Sequence, residues 1–395
     1  YLPTKKRSAI GTTWNSQNGI DTIVSPAYDT DGSPDTWSVS ELSVIANSWA
    51  VVAEDFAPWD VNVTTIEPGA DALRRSSSGD TEWGVRVLIT TDTFLDCGCG
   101  GVAYIGAFDD DADEPAFVFN RSFVGVSEAA SHEVGHTLLL AHDGTASGST
   151  YYTGHDSTTT PGWAPIMGAA FSNSLYDEVD QWSKGEYADA NNQEDDVLII
   201  GGNRNGFGFK NDDYSDSISG TVGVLDTIGV DLLGATGLIS RSNDIDIFRF
   251  ASTDGAISLT VSPLDVDSSD SQPGSSTQGA NLAVQANLLD ASGVLIAAGT
   301  ADGTALLEST VTATVTAGIY YITVEGAGRG ADPVVGFSDY ASLGEYSIVG
   351  ALPVPPLAIT GGEGDFKQAN PIVLGDVETQ TSNGTDFGFS FVANG

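Results

Sequence analysis

Apolar positions near the start of the chain follow helical spacing. Between residues 38 and 60 they recur at steps of three and four, which predicts a long helix with one apolar stripe. The stripe consists of Leu42, Ile45, Trp49, Val52 and Phe56. Ser40 is placed to cap the start of this helix, and Pro58 is placed to end it.

Short apolar runs after this helix have the spacing and composition of strands. They lie at residues 61–66, 85–90, 101–108 and 116–120. A second helix is predicted to begin near Ser127. The order of long helix, strands and second helix predicts a mixed α+β domain over residues 1–214.

Helical periodicity largely disappears after about residue 210. Strand-like runs separated by Gly, Ser, Asp and Asn turns predict an all-β sandwich domain over residues 215–350. Residues 351–395 begin with a Pro-rich linker. The rest is too short for a sizeable core, so we interpret it as a tail or as the start of a further β-domain.

The composition is strongly acidic, with 54 acidic against 14 basic residues and a formal net charge of −40. Such a charge argues against nucleic acid as a partner. A solubilising surface, a saline habitat or bound calcium would each explain it. No apolar run reaches the roughly 18 residues of a membrane span. The first residues are not a signal peptide, so the chain is either cytosolic or a mature secreted form left after removal of targeting and pro-segments.

The two cysteines, Cys97 and Cys99, lie two positions apart. Two cysteines are too few for a structural zinc site of four Cys/His ligands. A bridge between them would close a very small ring, yet it can form in an oxidising compartment. A disulfide and a pair of free thiols both remain open at this point.

Three of the four histidines lie in one short segment, "SHEVGHTLLLAHD". His132 and His136 are four apart, so on a helix both imidazoles face the same side and can bind one metal ion. Glu133 is placed to hydrogen-bond a water beside that ion, as in H-E-x-x-H zinc peptidases. The alternative is a helix with two surface histidines.

His142 can join the pair only if the helix ends early. On a continuous helix it would lie about 15 Å along the axis from His132, so the helix must end near residue 138 or 139 and the chain must turn back. Downstream, "WAPIMG" holds Met167, the only methionine in the chain. Its alternative role is that of a gap-filling core methionine.

Several of these segments together resemble the secreted bacterial metzincin-type zinc metallopeptidases. They include "CGCGGVAYIGAF", "SEAASHEVGHTLLLAHDG" and "WAPIMG", and the resemblance covers roughly residues 10–210. It implies that His132, His136 and His142 bind Zn²⁺, that Glu133 is the general base and that Met167 forms the Met-turn. It also implies that residues 101–108 form the edge strand above the cleft, where an extended peptide pairs.

A second resemblance concerns the β-rich region. "NDIDIFRF" and "AGIYYITVEG" are similar to the pre-peptidase C-terminal (PPC-like) domain, a β-sandwich often appended to secreted peptidases. In the first region, one position departs from the metzincin pattern: Leu139 stands where glycine is usual. This departure concerns the turn that must bring His142 to the metal, and Asp143 is the alternative ligand, although a structural role in the turn suits it better.

Further side chains are candidates for the cleft or for calcium. His155, Tyr151 and Tyr152 could line the cleft or stabilise an oxyanion, whereas an exposed loop is the plainer interpretation of His155. The calcium candidates are Asp109, Asp110, Asp111 and Asp113 in one segment and Asp244 and Asp246 in another. Solvated carboxylates are the alternative for both groups.

The sequence thus predicts a secreted zinc-dependent endopeptidase that acts on protein or peptide substrates, with Ca²⁺ as a further candidate cofactor. The alternative hypothesis is a surface or matrix binding protein with a vestigial peptidase domain. Leu139 and the large acidic β-region motivate that alternative. Glu133 argues against it, because an inactive peptidase needs no general base.

Overall fold

A computed structural model describes residues 7–155, 162–169, 178–229, 232–264, 266, 279–300, 307–330, 336–353 and 388–394. These residues form mostly β-sheet with few helices. The helices are α1 (Thr13–Asn18), α2 (Val39–Asp55), α3 (Phe123–Thr137) and α4 (Asp196–Ile200). In this part of the chain, no helix is both long and apolar enough to cross a membrane.

The first region is organised around a five-stranded sheet. The strands of this region are β1 (Arg7–Ala9), β2 (Ile23–Ser25), β3 (Val61–Thr64), β4 (Glu82–Ile89), β5 (Gly101–Val102), β6 (Ala116–Val118), β7 (Gly162–Pro165) and β8 (Glu178–Gln181). The order in the large sheet is β3, β19 (Gly388–Asn394), β4, β6, β5. β4 and β6 are parallel, and β5 is antiparallel to β6 at the sheet edge. The predicted strand over 101–108 is therefore paired only at its first two residues.

The C-terminal strand β19 lies inside this first sheet. It pairs antiparallel with β3 on one side and with β4 on the other. The linker and most of the predicted tail, residues 354–387, lie outside the described residues. The last strand of the chain thus belongs to the same sheet as the first region.

The N-cap of helix α2 is Ser38, two residues before the predicted cap Ser40. Ser38 Oγ accepts the Glu41 N–H, and Glu41 in turn accepts the Ser38 N–H, which is a capping box. The predicted apolar stripe is only partly buried, because Leu42 is 50% and Trp49 is 39% exposed. The buried face instead includes hydrogen-bonded polar residues, which an apolar pattern cannot reveal.

Helix α3 begins at Phe123, before the predicted start. Its N-cap, Ser122, accepts the Gly125 N–H through Oγ. The helix packs against α2, β4 and β6. Most of its length is buried, which explains why it carries small residues and few charges.

The second region consists of two five-stranded sheets. Its strands are β9 (Gly223–Val224), β10 (Asp226–Gly229), β11 (Leu232–Ile239), β12 (Ile245–Ser252), β13 (Gly255–Pro263), β14 (Val284–Asp290), β15 (Leu295–Ala298), β16 (Ser309–Val315), β17 (Gly318–Gly326) and β18 (Gly344–Ala351). The sheet orders are β10, β11, β18, β13, β16 and β15, β14, β17, β12, β9. The predicted β-sandwich character is confirmed.

Alternation along these strands builds the interior of the sandwich. In β13, Leu259 and Val261 are fully buried, and Ile322 and Val324 of β17 are equally buried. Each such side chain contributes roughly 1.5–3 kcal/mol by leaving water. This core continues into that of the first region, because buried residues of both regions form one hydrophobic cluster.

Candidate functional site

The end of α3 is a tight reversal that brings His142 back toward the helix. The Leu139 N–H donates to His136 O at 3.0 Å, and the Leu140 N–H donates to Gly135 O at 3.0 Å. This pair of bonds is a Schellman motif. Leu139 occupies its left-handed position with φ of 84°, where glycine would be free of strain. The helix therefore ends where the three-histidine arrangement requires.

The three histidines of the predicted zinc site converge. The ring nitrogens of His132, His136 and His142 lie within 4.8 Å of one another, and His136 Nε2 is 2.9 Å from His142 Nε2. Ligands at about 2.0–2.1 Å from a tetrahedral zinc are separated by about 3.3 Å, so this donor set suits the ion closely. No other histidine belongs to this group within the described residues.

Backbone carbonyls fix the orientation of two of these rings. His132 Nδ1 lies 2.9 Å from Ile166 O, and His136 Nδ1 lies 2.8 Å from Leu140 O. Because a carbonyl only accepts, each Nδ1 carries the proton and each Nε2 presents its lone pair to the centre. Burial lowers the pKa of His132 to about 3 and that of His142 to about 4, so both rings are neutral at physiological pH.

Glu133 follows His132 in α3, and one of its side-chain oxygens is unpaired. Its Oε2 is buried and has no hydrogen-bond partner among the described residues. Burial raises the pKa of Glu133 to about 8. The side chain packs against Gly101 of β5, where an added Cβ would lie 2.7 Å from Oε1. Glu133 therefore contacts the edge strand β5 and carries a buried, unpaired oxygen on the same helix as His132 and His136.

Met167 packs directly against α3, the helix that carries His132 and His136. It is fully buried in a turn, and its Sδ would lie 2.5 Å from a Cβ added at Gly135. Met167 O accepts the Asp143 N–H at 2.9 Å. Asp143 is buried, and its Oδ1 accepts a hydrogen bond from the Tyr187 hydroxyl at 3.5 Å. The Asp143 carboxylate is not part of the histidine group. Asp143 thus connects the turn after His142 to the turn that holds Met167.

The three cleft candidates occupy different positions. The Tyr151 ring lies 4.5 Å from the His142 ring and 6.0 Å from the His132 ring, measured between centroids. Tyr152 instead bonds His155, with 3.0 Å between Oη and Nδ1, and His155 Nε2 lies 3.0 Å from Gly336 O. Tyr151 is therefore the candidate at the histidines, whereas Tyr152 and His155 connect the first region to the sandwich.

The first acidic segment is partly paired with arginines. Asp109 accepts hydrogen bonds from Arg204, and Asp113 lies 3.0 Å from Arg86. The pKa of Asp110 is raised by burial and by Asp109 and Asp111. Among the described residues this segment forms no group with metal-binding geometry.

The second pair of acidic candidates belongs to a larger cluster that sequence reasoning missed. Its members are Asp212, Asp213, Asp216, Asp244 and Asp246, in two overlapping groups of three that share Asp212. Asp244 Oδ1 and Asp246 Oδ1 are buried without a hydrogen-bond partner in the described part of the chain. The segment "NDDYSDS" carries three of these aspartates, but the sequence alone does not show that the fold brings it to β12.

No family model matches the chain, and no curated protein matches it. Among solved structures, the pre-peptidase C-terminal domain of a collagenase from Bacillus anthracis is 16% identical with a TM-score of 0.20, over 32% of this chain and 90% of that domain. A periplasmic inhibitor of g-type lysozyme from Aeromonas hydrophila is 13% identical with a TM-score of 0.21, over 33% of this chain and 97% of that protein.

Proposed function

We propose that this chain is a secreted zinc-dependent endopeptidase of the metzincin type with an appended PPC-like sandwich. The observation that carries the proposal is the convergence of three imidazoles, two of them on a helix that also carries Glu133 with a buried, unpaired oxygen. Three imidazoles with Nε2 turned inward are the donor set of a catalytic zinc site with an open position. Met167 beneath the helix and the reversal at Leu139 fit the same assignment.

The proposed centre divides the chemistry between ion and protein. His132, His136 and His142 would hold the zinc, which would polarise the substrate carbonyl and lower the pKa of water. In its ionised form, which the charge of the zinc would favour, Glu133 would accept a proton from the attacking water at Oε2. The water oxygen bonds to the carbonyl carbon, the C–N bond breaks, and Glu133 delivers the proton to the leaving amine.

Substrate would lie along the sheet edge. β5 is the edge strand, and its Gly101 contacts Glu133, so a peptide added to this edge passes the general base. Tyr151 flanks the histidines and is 40% exposed. We assign it to the rim of the cleft, where its hydroxyl can donate to the developing oxyanion.

The proposed location is extracellular. Cys97 and Cys99 form a disulfide, and such bonds persist in oxidising compartments. The vestigial-peptidase alternative was motivated by Leu139 and by the large acidic β-region. The Schellman turn holds that leucine in its left-handed position, and Glu133 is present and buried. An active enzyme is therefore the better interpretation.

Metal analysis combined with a casein digest tests the proposal. We expect one zinc per chain, loss of hydrolysis on chelation and recovery when zinc is added back. His136→Ala is the matched variant, and it should lose both zinc and activity. Hydrolysis that survives complete removal of metal would contradict the proposal.

Calcium is proposed as a second cofactor, at the aspartate cluster of the sandwich. Two carboxylate oxygens, on Asp244 and Asp246, are buried and unpaired, and Asp246 is fully buried. Burying such oxygens is costly unless they are paired or bind a metal ion, and calcium prefers oxygen ligands. Calorimetric titration should show calcium binding that Asp246→Asn removes and Asp111→Asn leaves unchanged. Equal binding by both variants, or none in the unmodified chain, would refute the site.

A further inference from the structure

Asp55, the last residue of α2, lies at the junction of the two regions and is almost fully buried. Its Oδ1 accepts the Asn281 side-chain amide at 2.7 Å, and its Oδ2 accepts the Ser131 hydroxyl. Asn281 belongs to the sandwich region, whereas Ser131 precedes His132 in α3. One carboxylate therefore connects the sandwich to the helix turn that carries the first histidine.

A second hydrogen-bond route starts at the same asparagine. The backbone carbonyl of Asn281 accepts a hydrogen bond from the Gln181 side-chain amide at 2.5 Å, and the backbone carbonyl of Gln181 accepts the Ile166 N–H at 2.9 Å. The carbonyl of Ile166 in turn holds His132 Nδ1. Both routes from Asn281 therefore end at His132, one through the helix backbone and one through the ring.

We propose that the β-sandwich positions the histidine cluster, with Asn281 as the positioning residue that fixes His132 through Asp55 and Gln181. The inference rests on the proposed zinc function and gives the sandwich a positioning role at the zinc site. Asn281 is buried, so removing its side-chain amide leaves Asp55 Oδ1 unpaired away from water. A side-chain substitution keeps the backbone carbonyl that Gln181 bonds, so it removes the Asp55 route and leaves the Gln181 route in place. Asp55 must then move or be protonated, and either change alters its bond to Ser131.

A control is available elsewhere in the same interface. The Tyr340 hydroxyl donates to Asp195 at 2.7 Å and accepts the Val197 N–H at 3.0 Å. These bonds also connect the sandwich to the first region, but none of them reaches His132. Tyr340→Phe therefore weakens the interface without touching either route.

The test compares Asn281→Leu with Tyr340→Phe in the full chain. Asn281→Leu should weaken zinc binding, measured by chelator competition, and lower kcat on a peptide, each roughly 10-fold, with KM nearly unchanged. Tyr340→Phe should leave all three within about twofold. The swap that combines Asp55→Asn with Asn281→Asp preserves the hydrogen bond and should recover most of the loss.

Amide hydrogen exchange of residues 127–137 in the metal-free protein gives a readout that does not need zinc. Faster exchange there in Asn281→Leu than in Tyr340→Phe supports the inference, even if the unmodified chain binds no zinc and the proposed function fails. Equal effects of the two variants on exchange, or on zinc affinity when zinc binds, would overturn it.

Discussion

The turn at Leu139 provides a sharp quantitative prediction. Replacing Leu139 by glycine should change the free energy of unfolding little, although a half-buried leucine side chain is removed. The residue is half-buried and has φ of 84°, so its side chain is held in a left-handed backbone conformation. Its methyl carbon Cδ2 lies 2.9 Å from a Cβ built at Gly106, which shows where the packing would be lost.

The magnitude follows from opposing terms. A left-handed conformation costs a non-glycine residue roughly 1–2 kcal/mol, which the substitution releases. Losing a half-buried leucine costs about 1–2 kcal/mol, roughly half of the smaller values for a core leucine cut to alanine. The greater freedom of glycine in the unfolded chain costs roughly 0.5–1 kcal/mol. The net destabilisation of Leu139→Gly is therefore centred at about 1 kcal/mol, between roughly −0.5 and 2 kcal/mol.

Leu140→Gly is the matched control. Leu140 is fully buried and is not among the positive-φ residues of the described chain, so it has packing to lose and no strain to release. The cost should be about 3–5 kcal/mol. In thermal unfolding, Leu139→Gly should shift Tm by less than about 3 °C, and Leu140→Gly should lower it by about 4–6 °C. Equal losses for both variants would refute the assigned turn geometry.

Three further predictions concern the site and its surroundings. His142→Ala should weaken zinc binding by more than about 100-fold, whereas His155→Ala should leave zinc affinity unchanged in the same competition assay, because its ring bonds Tyr152 instead. Tyr151→Phe should lower kcat about 10-fold and Tyr152→Phe less than about twofold, measured on one peptide. Burial raises the pKa of Asp55 from 3.8 to about 7, so the folded state retains a proton that the unfolded state releases, and stability falls as pH rises between those values. Asp55→Asn should make Tm less dependent on pH in that interval, and an unchanged slope would contradict this assignment.

The sequence predicted those features that depend on local spacing. The fold brings together three histidines that the sequence holds at fixed intervals, and it packs the lone methionine downstream against the helix that carries two of them. Alternation predicted the sandwich because its strands bury every second residue. Local spacing also located the end of α3 near Leu139, although it did not indicate how a leucine is accommodated there.

Features that depend on distant pairing could not be predicted in the same way. Asn281 and Asp55 are separated by 226 positions, and no local pattern connects them. The stripe assigned to α2 failed at Trp49 because the buried face of that helix uses polar residues that find partners in other elements. The C-terminal strand joins the first sheet by backbone pairing, which composition does not encode.

The general base is the most direct test of the central proposal. In Glu133→Gln the amide fills the same space beside Gly101 but cannot accept a proton, while the three imidazoles are unchanged. Zinc stoichiometry and peptide turnover are measured on the same preparation of this variant and of the unmodified chain. We predict one zinc per chain in both and a loss of kcat of roughly 100-fold to 10,000-fold in the variant. Turnover by Glu133→Gln equal to that of the unmodified chain would contradict the proposal.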